Sequence, residues 1–268
     1  MGNKDGTKID KALVDNVVLA QKTGFHHLDG AEVYGNEADL GEAIKAAGIP
    51  RSELFVTTKI NGTEVQDTEA SFAESLQKLK LDYVDLYLIH APFFAKGSKK
   101  ALQEKWADME AIQKSGRAKS IGVSNFLQED LEAVLETAKI KPSINQIEYH
   151  PYLQHGDLVP FHKKHGIATA AYGPLSAVVT GAPGPLDPVY KKLAEKYGVS
   201  AGEIALRWCI DQDVVTLTTS AKESRLKDYL RVADFKLTSD EIEEISRVGD
   251  EKHFRGFWGH IFKPDDRR

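Results

Sequence analysis

Short apolar runs alternate with amphipathic stretches along most of the chain. Leu13, Val17, Val18 and Ala20 give residues 10–22 an apolar stripe at helical spacing, Gly24 closes that helix, and a strand follows over 25–29. The alternation continues with helix 39–47, strand 55–60, helix 68–79 carrying Phe72, Leu76 and Leu79 on one face, strand 84–90 and helix 99–114. Beyond these come strand 118–123, helix 127–138, strand 144–149, helix 158–164 and strand 168–172. A stretch rich in breakers (Gly173, Pro174, Gly181, Pro183, Gly184, Pro185) leads to helices 187–197 and 201–209, strand 214–217, and helices 223–231 and 239–248. Strands that alternate with helices predict a parallel sheet covered by helices, an α/β architecture. The pattern yields about seven strands, one short of a closed eight-stranded barrel. Because the chain opens on a helix, the eighth strand belongs before residue 10.

Three of the apolar runs end on a polar residue. His26-His27-Leu28 ends on Asp29, Phe55-Val56-Thr57-Thr58 on Lys59, and Leu86-Tyr87-Leu88-Ile89 on His90, while Tyr34 follows Asp29 on the turn out of the first run. Parallel barrels gather catalytic groups at the carboxyl ends of several strands, so this set can converge on one mouth. A carboxylate, an amine, a phenol and an imidazole meeting there make a proton-transfer site. A phenol with an ordinary pKa near 10 gives up its proton reluctantly at neutral pH. A lysine ammonium beside it, held by Asp29 as an ion pair, would stabilise the phenolate. Taken singly, each residue has a plainer role: Asp29 as a helix cap, Lys59 as a snorkelling surface lysine, Tyr34 as rim filler, His90 as a core histidine.

Composition narrows the classes. A length of 268 residues suits one α/β barrel domain spanning 1–268. The formal net charge of −5, with basic residues scattered, argues against a nucleic-acid partner. Cys209 is the only cysteine, in an apolar helical context where a thiol acts as filler. No apolar stretch approaches the roughly 20 residues of a membrane span, and the first residues lack a signal-peptide core. A cytoplasmic monomer is expected. The adjacent histidines His26 and His27 point to opposite faces of a strand, and no HxH or HExxH spacing occurs, so no catalytic metal is expected. The first strand is not followed by GxGxxG, which argues against a doubly wound dinucleotide fold.

The chain resembles the aldo-keto reductase family, in particular its fungal branch of conjugated-polyketone and sugar reductases. Residues 24–37, Gly-Phe-His-His-Leu-Asp-Gly-Ala-Glu-Val-Tyr-Gly-Asn-Glu, resemble the family's first signature, with Gly30 where threonine is usual. Leu86 to Pro92 resembles the histidine-bearing strand. Ile121-Gly122-Val123-Ser124-Asn125-Phe126 and Asn145-Gln146-Ile147-Glu148-Tyr149-His150-Pro151 resemble two more signatures. The resemblance implies a (β/α)8 TIM barrel that uses a nicotinamide cofactor to reduce small-molecule carbonyl substrates. It implies Tyr34 as proton donor, Asp29 and Lys59 as its tuning pair, and His90 as the residue that orients the carbonyl. Ser124, Asn125 and Gln146 would hydrogen-bond the nicotinamide carboxamide, and Tyr172 would stack on its ring. Side chains of these types agree: Ser, Asn and Gln supply the donors and acceptors a carboxamide needs, and an aromatic can cover a planar ring. Locally, Ser124-Asn125 reads equally well as a turn and helix cap before Leu127.

Two stretches depart from the family pattern. After the last strand a Lys-Ser pair with a later arginine usually reads the 2′-phosphate of NADPH. Here Ser220 and Arg225 match, but Thr219 stands in place of the lysine. NADPH is the expected cofactor, with NADH as the alternative. The family also begins with a hairpin and a first barrel strand that are not recognisable before Asp10, so the expectation is a barrel shortened at that end. That shortening keeps open a second role, a non-catalytic or weakly active nucleotide-binding subunit. The aromatic tail Phe254-Arg255-Gly256-Phe257-Trp258-Gly259 and Ala91-Pro92-Phe93-Phe94 would wall an apolar pocket suited to uncharged or dicarbonyl substrates.

Overall fold

A computed structural model describes residues 9–268. The position expected for an eighth strand lies partly within residues 1–8, outside the described residues. Backbone contacts divide the chain into two compact units, with the boundary after Asn145. The first holds α1 (Lys11–Thr23), β1 (His27–Asp29), α2 (Glu37–Ala47), β2 (Phe55–Ile60), α3 (Thr68–Leu79), β3 (Val84–Ile89), α4 (Lys99–Lys114), β4 (Ala118–Ser124) and α5 (Gln128–Leu135). Strand β5 (Ile144–Glu148) crosses the boundary. The second unit continues with α6 (Leu158–His165), β6 (Ala168–Tyr172), α7 (Asp187–Tyr197), α8 (Ala201–Ile210), β7 (Val214–Thr216), α9 (Glu223–Leu230) and α10 (Ser239–Gly249). Among the described residues the sheet has seven strands, neighbours in chain order from β1 to β7.

Helix starts follow from short polar side chains that catch free N–H groups. Asp10 accepts from Ala12 and Leu13 at α1, Asp67 from Ala70 at α3, and Ser98 from Ala101 at α4. Ser200 with Glu203 and Thr238 with Glu241 form capping boxes on α8 and α10. Helix α5 ends sooner than the sequence pattern predicts. The Glu110 carboxylate takes the N–H groups of Lys139 (2.6 Å) and Ile140 (2.9 Å), and Trp106 Nε1 donates to the Ile140 carbonyl at 2.9 Å. These bonds hold the chain in a path that a continuing helix could not follow.

Parallel strands covered on both faces read as unbroken apolar runs. In the first unit Val56, Ile60, Phe72, Val84, Leu88, Ile89, Trp106 and Met109 are all buried. In the second, Leu193, Ile204 and Trp208 form the core, and Trp208 stacks on Tyr149 with ring centroids 5.1 Å apart. Cys209 is fully buried and burial pushes its thiol pKa up, as expected of a filler. No helix among the described residues is long and apolar enough to cross a membrane.

Parallel registry brings the carboxyl ends of β1, β2 and β3 side by side. Asp29 pairs with Thr57, Lys59 with Leu88 and Ile60 with Ile89. The chain leaving β2 then runs against the chain leaving β3: a Cβ at Gly62 would overlap the backbone of Ala91, and the Phe94 N–H donates to the Gly62 carbonyl at 2.9 Å. Only glycine permits that approach. It fixes the segment beyond His90 against the segment beyond Lys59.

Candidate active site

Asp29 is the last residue of β1, and the Gly30 N–H continues the ladder to the Thr57 carbonyl at 2.8 Å. A 3₁₀ turn (Glu32–Tyr34) follows and carries Tyr34 back over the strand ends. Lys59 is 0% exposed, so it does not snorkel. Its Nζ donates to the Asp29 carboxylate and, at 2.8 Å, to the Gly30 carbonyl. The same ammonium stands 5.1 Å from the centre of the Tyr34 ring. The His90 ring meets Tyr34 edge to face, with centroids 5.5 Å apart and an interplanar angle of 83°. Asp29, Tyr34, Lys59 and His90 thus form one cluster. Tyr34 remains 42% exposed, open to a substrate.

Burial, reinforced by the Lys59 ammonium and opposed by Asp29, pushes the His90 pKa down to about 3. At neutral pH this imidazole is uncharged and can orient a carbonyl by a hydrogen bond, but it has no second proton to relay. His27, two residues before Asp29 on β1, is exposed: it contacts Thr57 Oγ1 at 3.2 Å and lies 4.6 Å from the Phe55 ring. Among the described residues no group of three His, Cys, Asp or Glu side chains is placed to hold a metal.

Ser124 ends β4 and is buried. Asn125 adopts φ +59°, a left-handed conformation that asparagine tolerates. Its Nδ2 donates to the His90 carbonyl at 2.8 Å and to Ser124 Oγ at 3.0 Å. Neither residue is the N-cap of α5: that position is Leu127, whose N–H donates to the Asp130 carboxylate at 3.0 Å. The capping alternative read from the sequence therefore falls, because the helix begins three residues beyond Asn125, with Leu127 at its N-cap. The bond from Asn125 to the His90 main chain was not legible in sequence, since no motif marks a left-handed asparagine.

The remaining candidates lie in the second unit. Gln146 is buried on β5, and Tyr172 ends β6 just before Gly173 at φ +63°. The Phe257 ring meets Tyr172 edge to face at 5.1 Å and 88°. Ser220 Oγ accepts from the Lys222 N–H at 3.1 Å, and Arg225 lies exposed in the first turn of α9. Phe94 is expected on a pocket wall. It is 5% exposed, and the Lys105 ammonium lies 5.6 Å from its ring.

The buried histidines carry a pH prediction. Burial holds His90 near pKa 3, and burial is the main cause that lowers His155 and His162 to about 4. In the unfolded chain each binds a proton below about 6.5, so between pH 6.5 and about 4 the unfolded state holds more protons. Stability therefore falls as pH drops through that window, with each histidine contributing up to ~1.4 kcal/mol for every pH step of about one. Asp130, raised to about 6 chiefly by burial, and Glu37, raised by burial, act in the opposite direction, but the lowered histidines outnumber them, since desolvation also lowers His27 and His253. The thermal midpoint followed by circular dichroism should be several degrees lower at pH 5 than at pH 7.5. An equal midpoint would contradict the buried, neutral state of these imidazoles.

Comparison with known proteins agrees with this geometry. The model of the Aldo/keto reductase family matches residues 1–250. The NAD/NADP-dependent indole-3-acetaldehyde reductase of Schizosaccharomyces pombe is 41% identical over 260 residues, covering 96% of this chain and 91% of that protein. The NADPH-dependent alpha-keto amide reductase of Saccharomyces cerevisiae is 37% identical over 262 residues, covering 94% and 84%. Among solved structures, an aldo/keto reductase from Brucella melitensis superposes with a TM-score of 0.81 at 39% identity, covering 88% of this chain and 90% of that one. On the span of the family match and the identity to these relatives, the chain belongs to the aldo/keto reductase family.

Proposed function

We propose that this chain is an enzyme that reduces aldehydes or ketones, dicarbonyls among them, to alcohols, with NADPH as the hydride source and Tyr34 as the proton donor. One observation carries the reading: the buried, ion-paired Lys59 and the neutral His90 flank an accessible Tyr34 at adjoining strand ends. His90 orients the carbonyl oxygen towards the Tyr34 hydroxyl. The proton passes from Tyr34 to that oxygen, and the Lys59 ammonium stabilises the negative charge left on the phenol ring. Asp29 and the Gly30 carbonyl keep the ammonium in place. When bound, NADPH supplies the hydride for the carbonyl carbon.

The donor chemistry fits that cofactor. Ser124 and Asn125 offer a hydroxyl and an amide, the partners a carboxamide requires, and the roles of Gln146 and Tyr172 follow from the family pattern. The names of the two yeast relatives support carbonyl reduction with NADP or NADPH. The family match runs across residue 145, which favours reading the two units as one barrel domain.

NADPH is favoured over NADH by Arg225 with Lys222 at the start of α9, where a guanidinium fork suits a phosphate. Thr219 adds no charge to that site. Arg225→Ala should raise KM for NADPH roughly tenfold, the scale of one lost charge-assisted contact, and leave KM for NADH unchanged. Equal effects on both would show that Arg225 does not read the phosphate. The reductase reading itself is tested by NADPH oxidation against a panel of aldehydes and diketones. A chain that binds NADPH and oxidises it with none of them would fit the non-catalytic subunit instead.

A further inference from the structure

Glu148 ends β5 with its side chain 1% exposed, and its carboxylate faces main chain more than a hundred residues onward in sequence. One oxygen, Oε1, accepts from the Gly256 N–H at 2.7 Å and lies 3.0 Å from His150 Nε2. The other, Oε2, accepts from the Phe257 N–H at 3.1 Å. Bonds to an ionised carboxylate are about twice as strong as neutral ones. Two on successive residues fix both the position and the direction of the tail.

The surrounding contacts serve the same hold. Lys252 Nζ donates to the Gly181 and Pro183 carbonyls at 2.5 and 2.8 Å, and the Phe254 N–H donates to the Tyr152 carbonyl at 3.3 Å. A Cβ at Gly256 would stand 3.3 Å from Glu148 Oε1 and 3.3 Å from Phe254 Cε1, so glycine lets the carboxylate close on the backbone. Trp258 then takes φ +60° and turns the chain away. Between these fixed points the Phe257 ring is set edge-on to Tyr172.

We propose that Glu148 is a positioning residue that clamps the tail so that Phe257 braces the Tyr172 ring for the nicotinamide. The proposal rests on the reductase reading, in which Tyr172 stacks on that ring. Phe257 is 49% exposed, so its contact with Tyr172 has little burial behind it, and its stance depends on its backbone being held. With the clamp released, the edge-to-face pair is lost and Tyr172 regains rotamer freedom that cofactor binding must remove.

The test compares wild type with Glu148→Gln, which keeps the shape and removes the charge, and with Phe257→Ala, which keeps the clamp and removes the brace. Amide exchange at Gly256 and Phe257 reads the clamp, and NADPH affinity by fluorescence reads the brace. Glu148→Gln should speed exchange at both amides and weaken NADPH roughly 3- to 10-fold, the scale of one edge-to-face ring contact. Its effect should fall on KM for NADPH more than on kcat. Phe257→Ala should weaken NADPH similarly while the Gly256 amide stays protected, and the double variant should be no weaker than Phe257→Ala alone. Unchanged exchange in Glu148→Gln overturns the clamp. Wild-type NADPH affinity in either single variant overturns the brace, as does additive weakening in the double variant. A wild-type chain that does not bind NADPH overturns the reductase reading and the coupling to it, whereas the exchange comparison still decides the clamp.

Discussion

Tyr34→Phe lowers kcat by about 10²–10⁴-fold, the range of one general acid, and leaves the dissociation constant for NADPH as it was. The hydroxyl is the only atom removed, and the ring still contacts His90 and Lys59, so packing at the strand ends is retained. Lys59 cannot take over the donor's place: it is fully buried and its ammonium already serves Asp29 and Gly30. His90 cannot either, being neutral until the pH approaches 3. Steady-state turnover with a reactive aldehyde, beside fluorescence titration with NADPH, measures both halves of the expectation. A variant that turns over like wild type would remove Tyr34 from the mechanism.

Lys59→Met carries the largest expected stability loss together with loss of turnover. Breaking a buried ion pair by deleting one partner typically costs about 3–5 kcal/mol, because the other charge stays behind unpaired. The Asp29 side chain is 17% exposed, so some water relieves it and the lower end of that range is expected. The companion Asp29→Asn/Lys59→Met removes both charges and should recover much of the stability, since well-packed neutral replacements of buried pairs are often tolerated. It should recover none of the activity, because nothing remains to stabilise charge on Tyr34. Denaturant unfolding and turnover of wild type, the single variant and the double variant separate the two effects. Restored turnover in the double variant would show that the lysine matters for folding alone.

Much of the fold was legible because its signals are local. Asp67, Ser98, Ser200 and Thr238 start helices where a capping side chain is expected, and α3 and α4 run from 68 to 79 and from 99 to 114 as the pattern predicts. The meeting of Asp29, Lys59 and His90 was legible because parallel pairing brings successive strand ends together. What sequence could not give depends on burial and on distant backbone. Whether Lys59 snorkels or is buried is decided by packing around β2. That His90 is neutral follows from the same packing. The left-handed Asn125, the approach of Gly62 to Ala91 and the grip of Glu148 on Gly256 each join main chain to groups that no spacing rule connects.

The second acceptor of Lys59 is a carbonyl, which every residue type possesses. Half of the ammonium's anchorage is therefore indifferent to which side chain occupies position 30. A glycine there in place of the family's usual threonine leaves the charge tethered, so the ammonium at these strand ends keeps its carbonyl anchor through that exchange.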